Sequence, residues 1–108
     1  MNITNAREEL LKAVGDKKII WAKLGKDYDY RNNCLLNIVL IPNYTTEQYH
    51  EFLNKINFEY DSGFGGQELY GFVALENGEW LEREEYDGAE NWALKAYPKF
   101  ENIISRWD

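Results

Sequence analysis

The chain has one cysteine, one histidine and two prolines among its 108 residues. With Cys34 alone, an internal disulfide and a multi-cysteine zinc site are excluded, and the composition suits a reducing cytoplasm. With His50 alone, a zinc-binding histidine pair is excluded. A single His and a single Cys also leave no basis for arguing a Ser-His-Asp or Cys-His arrangement. No apolar run approaches the roughly 20 residues of a membrane span. The opening "MNITNAREELLKAV" has no basic start followed by an apolar stretch, so it is not expected to be a signal peptide.

What is present points to one folded domain. Hydrophobic residues make up 44% and aromatics 16% of the chain, too much apolar content for disorder. Net charge is −7, unevenly spread. Residues 59 to 90 hold ten acids and a single base, Arg83, and the remainder is slightly basic. Such a segment repels a phosphate backbone. It favours a basic protein surface, reached quickly and in a salt-sensitive way. The alternative is a solvated face that keeps the protein soluble.

Local signals give an expected order of α-β-β-α-β-β-α, an α+β domain with about four mostly antiparallel strands and helices on one face. Asn5 is a candidate N-cap with Glu8 at the capping-box position, and Gly15 is placed to end the first helix. "KKIIWAKL", 17 to 24, reads as a strand, and "GKDYDYRNN" as a connection. "CLLNIVLI", 34 to 41, reads as a central strand buried on both faces. Thr45 and Gln48 form a capping box for a second helix, with Tyr44 and Tyr49 as its hydrophobic staple. Tyr49, Phe52, Leu53 and Ile56 form the buried stripe of that helix, with His50 beside it. Asn77-Gly78 predicts a two-residue hairpin turn between strands at about 67 to 76 and 79 to 86. That turn sets Val73 opposite Glu82 and Gly71 opposite Glu84, on one face. Pro98 opens a third helix, with Phe100, Ile103, Ile104 and Trp107 at helical spacing.

Two stretches carry the candidate chemistry. "YDSGFGGQ" reads as a phosphate cradle, a calcium loop using Asp61 and Glu68, a contact loop presenting Tyr60 and Phe64, or a plain chain reversal. It lacks the glycine spacing and lysine of known phosphate loops. On the hairpin, Glu82 and Glu84 lie at i, i+2 on one face. That suits an acid and base pair or a metal site with space left by Gly71, and equally an exposed acidic strand. A third reading is an assembly protein, with Trp80, Trp92 and Trp107 at an interface.

"YDSGFGGQELYG" and "WLEREEYDGAENW", within Phe58 to Trp92, resemble a type of small acidic protein found on phages and mobile elements. In size and charge the chain is also similar to counter-defence proteins, including anti-CRISPR proteins. The resemblance implies a non-catalytic inhibitor that mimics nucleic acid and docks on the basic nucleic-acid-binding surface of a host defence protein. The expected contact residues are Tyr60, Asp61, Phe64, Glu79, Glu82, Glu84, Glu85, Tyr86, Asp87 and Glu90. Neither a cofactor nor a metal, nor direct nucleic-acid or membrane binding, is expected.

Overall fold

The computed structural model describes residues 3–27, 34–61, 69–86 and 89–96. Within them the order is β1 Ile3–Asn5, α1 Ala6–Val14, β2 Ile19–Asp27, β3 Cys34–Leu40, α2 Thr46–Lys55, β4 Glu59–Asp61, β5 Leu69–Leu75, β6 Glu79–Tyr86 and β7 Ala89–Ala96. Five strands form one antiparallel sheet in the order β3-β2-β5-β6-β7, and β1 pairs with β4 in a two-stranded ribbon. The α+β class and the antiparallel sheet are as expected. The count of four strands is not, and the expected third helix lies outside the described residues. Among the described residues, no helix is long and apolar enough to cross a membrane.

Both helices begin as their caps predict. The Asn5 side chain accepts from the Glu8 amide at 3.0 Å, and Gly15, at φ 64°, closes α1 by donating to Leu11. Thr45 and Gln48 form the reciprocal capping box of α2, and Tyr44 stacks on Tyr49 at 5.6 Å. Ala6, Leu10 and Val14 of α1 and Phe52 of α2, with the C-terminal cap Ile56, bury their side chains. They share one core with the alternate sheet residues Ala22, Leu24, Ile38, Leu40, Val73 and Leu81. Both helices therefore cover the same face of the sheet, and among the described residues no helix covers the other, the open face.

Three departures from expectation have local causes. β1 and β4 are three residues each, too short to show a period in the sequence. β3 is an edge strand, not a central one. Ile38 and Leu40 are buried while Val39 is 53% exposed, because only one face of this strand meets α2. β7 occupies a stretch expected to carry no strand.

The hairpin register is the most consequential correction. Asn77 and Gly78 both take positive φ, 65° and 74°, and the Glu79 amide bonds back to Glu76, as the Asn-Gly signal predicts. Beyond the turn, Ala74 faces Trp80, Val73 faces Leu81 and Phe72 faces Glu82. The pairing has slipped by one residue, leaving Leu75 as a β-bulge. A one-residue slip moves every side chain of one strand relative to the other to the opposite face. Glu82 and Glu84 thus share the open face with Phe72 and lie away from Gly71. A Cβ at Gly71 would stand 3.0 Å from Leu24, from the Lys23 carbonyl and from Trp92, on the core side.

Candidate functional site

Two chemically distinct places emerge. The first is buried where β6 and β7 meet α1 and β4. β6 alternates inward at Leu81 and Arg83, and β7 at Glu90 and Trp92, because Arg83 pairs directly with Trp92. The Arg83 and Glu90 side chains are each 1% exposed. The guanidinium donates to Glu90 at 2.5 Å, to Glu9 at 2.9 Å and to the Tyr60 hydroxyl at 2.8 Å. Tyr60 in turn donates to Glu9, and Glu90 also accepts from the Leu69 amide at 3.0 Å. The guanidinium lies 5.0 Å from the Trp92 ring centroid, a favourable cation–π distance.

This cluster holds charge inside the fold by hydrogen bonds to both terminal nitrogens of the guanidinium, while the Arg83 Nε and the Trp92 indole N–H are buried without a hydrogen-bond partner among the described residues. Burial works against the Arg83 charge, but the Glu90 hydrogen bond and the Glu9 charge outweigh it, and its pKa is raised. Burial, then the hydrogen bond to Glu9, hold the Tyr60 phenol well above its ordinary pKa. The cluster ties β1–α1 and β4 to the main sheet. With a permanently charged arginine, 1% exposed, at its centre, it is a structural clasp.

The second place is the open face. Trp21 of β2, Phe72 of β5 and Trp80 of β6 stack in a row across three adjacent strands, with centroid separations of 5.1 and 6.1 Å. They face outward because Ala22, Val73 and Leu81, their alternates, face the helices. Beside the row stand Glu82 and Glu84, bridged by Lys95 of β7 at 3.3 and 3.1 Å. The Trp80 indole N–H donates to Glu82 at 2.7 Å. That bond, followed by Lys95, lowers the Glu82 pKa. General acid catalysis needs the opposite, a carboxyl whose pKa is raised. Among the described residues, no group of three metal-ligating side chains comes together.

The residues expected to contact a partner divide sharply. Glu82 and Glu84 lie on the open face, and Tyr86 is 85% exposed at the end of β6. Glu85 is exposed on the opposite side, directly across from Glu90. Glu79 is half-buried and paired with Lys17 at 3.2 Å. Glu90 is turned inward on Arg83, so it cannot present a carboxylate to a partner. Tyr60 is 3% exposed; its hydroxyl is needed by Arg83 and Glu9, so it is not a surface anchor. Asp61 places its backbone against Ile3. Phe64, Glu68 and Asp87 lie outside the described residues, as does the glycine stretch 62 to 68. His50 is exposed beside Tyr49. Trp92 is core, Trp80 belongs to the open face, and Trp107 lies outside the described residues.

The aromatic row went unread in the sequence because its members come from three strands, and only the correct register aligns them. No protein-family model matches the chain, no curated protein matches it, and no solved structure matches its fold.

Proposed function

We propose that the chain is a non-catalytic binding protein, an inhibitor of the counter-defence kind. Its contact surface is the open sheet face around Phe72 and Trp80 with the carboxylates of β6. Its partner is the basic nucleic-acid-binding surface of a host protein in the bacterial cytoplasm. The observation that carries this reading is the row of three stacked rings bordered by Glu82 and Glu84 on the face that neither described helix covers. Aromatic side chains at the centre of a patch with charge at its rim are the pattern of protein contact surfaces. The overall charge of −7 selects a basic partner.

One lysine, Lys95, serves both carboxylates here. These exposed pairs contribute little to stability, and an incoming guanidinium can take Lys95's place with better bidentate geometry. Among the described residues, mimicry of phosphates is therefore confined to Glu82, Glu84 and the exposed end of β6. The test is a tagged pull-down from bacterial lysate at low and high salt. It compares the native chain with Trp80→Ala and with Glu82→Lys/Glu84→Lys, each checked for folding by circular dichroism. A nucleic-acid enzyme held by the native chain at low salt, released at high salt and lost with both variants is the expected result. Capture indifferent to salt and to both variants overturns the proposal.

A further inference from the structure

The same face changes character toward β3. Gly25 of β2 points no side chain outward where its neighbours across the sheet are Asn37 and Tyr70. The missing side chain opens a cleft of about 510 Å³ walled by Trp21, Tyr70 and Phe72, with Lys23 and Asn37 at its rim. That volume is in the range of small-molecule sites. Such sites have apolar walls and a few polar groups that fix orientation, and this cleft has both. Lys23 is exposed and its amine has no partner among the described residues. Lys95, on the same sheet face, is already engaged by two carboxylates.

We propose that this cleft binds a small planar aromatic anion of the size of a nucleoside monophosphate. The ring system lies against the aromatic wall, the anionic group meets the Lys23 ammonium, and the Asn37 amide serves the ring edge or sugar. Lysine suits this role because its compact charge binds phosphate without demanding a fixed geometry. The occupant is a free nucleotide and not a nucleic-acid strand. A strand continuing along the sheet runs into Glu82 and Glu84 on a chain of net charge −7, and each further phosphate adds repulsion. The proposal goes beyond the partner surface above; the cleft shares Trp21 and Phe72 with it, while Gly25, Lys23 and Asn37 lie on the β3 side, away from the β6 carboxylates.

The experiment titrates the intact chain with AMP, adenosine, inorganic phosphate and a ten-nucleotide deoxyadenylate. It is read by calorimetry and by tryptophan fluorescence, because Trp21 lines the cleft. AMP is expected to bind at about 1 mM or tighter, adenosine about tenfold more weakly, and phosphate alone not measurably. Lys23→Gln removes the preference for AMP over adenosine and leaves adenosine unchanged. Gly25→Val fills the cleft with a residue that strands favour; it abolishes both, with a melting temperature equal to or above that of the native chain. Lys23 is exposed, so its variant tests the site even if Gly25→Val fails to fold. Absence of AMP binding, AMP binding untouched by Lys23→Gln, or tighter binding of the oligonucleotide than of AMP each overturns the proposal.

Discussion

Replacing Arg83 with methionine tests the buried clasp most directly. The side chain is 1% exposed, and its removal strands Glu90, also 1% exposed, beside Glu9. Removing one partner of a buried ion pair costs about 3–5 kcal/mol, because the remaining charge stays buried. Against a domain stability of about 5–15 kcal/mol, that is a large fraction. At roughly 4–5 °C per kcal/mol for a domain of this size, the melting temperature drops by about 12–25 °C. The double variant Arg83→Met/Glu90→Leu removes both buried charges and recovers most of the loss, since apolar replacement of a whole buried pair is often neutral or stabilising. The coupling energy follows from urea denaturation of the four proteins in a double-mutant cycle. A loss under about 1 kcal/mol for Arg83→Met, or a double variant no better than the sum of the singles, refutes the clasp.

Gly71→Ala should destabilise by about 1–3 kcal/mol. The new methyl meets a backbone carbonyl and two buried side chains at 3.0 Å, and thermal denaturation of the variant reads the loss. Tyr60 supplies a pH signature. Its folded pKa is raised by burial and by Glu9, so its contribution is full below the unfolded value of about 10 and is lost as pH rises above it. Denaturation midpoints between neutral pH and pH 12 should fall less steeply in Tyr60→Phe than in the native chain. Equal slopes would place the phenol in water instead.

Much of the fold is legible in the residues themselves. Caps at Asn5 and Thr45, the Tyr44–Tyr49 staple and the positive-φ pair Asn77-Gly78 act through local chemistry, and each stands where the sequence puts it. β7 was legible too. Asp87-Gly88 between strand-like runs is the same kind of hairpin signal as Asn77-Gly78, and Tyr86 pairs with Ala89 across those two residues. The alternation of Glu90, Trp92 and Leu94 was masked by an acid in an inward position, which reads as solvent-facing until Arg83 is placed opposite. The edge position of β3 depends on which strands pair beyond it, a long-range matter that no local pattern encodes. The candidate site suffered most, since it hangs on register. A bulge at Leu75 is invisible in composition, yet it decides which residues stand beside Glu82 and Glu84.

That register can be put to trial with two lysines at adjacent positions. Phe72 faces Glu82 across the ladder on the open side, whereas Val73 faces Leu81 in the core and is 0% exposed. Phe72→Lys gives up two stacked ring contacts, about 0.5–1.5 kcal/mol each. It gains an opposite-charge pair with Glu82 on one side and a like-charge pair with Lys23 on the other, which offset each other. The net loss is about 1–3 kcal/mol. Val73→Lys buries an ammonium with no counter-charge across the strand, one of the mechanisms behind losses above about 4 kcal/mol. In the unbulged register these roles reverse, because Val73 then stands opposite Glu82 and its lysine finds a carboxylate. Chemical denaturation of the two variants separates the registers by the order of their stabilities alone. If Val73→Lys is the milder change, the bulge is absent, the aromatic row breaks up, and the binding surface built on it falls with it.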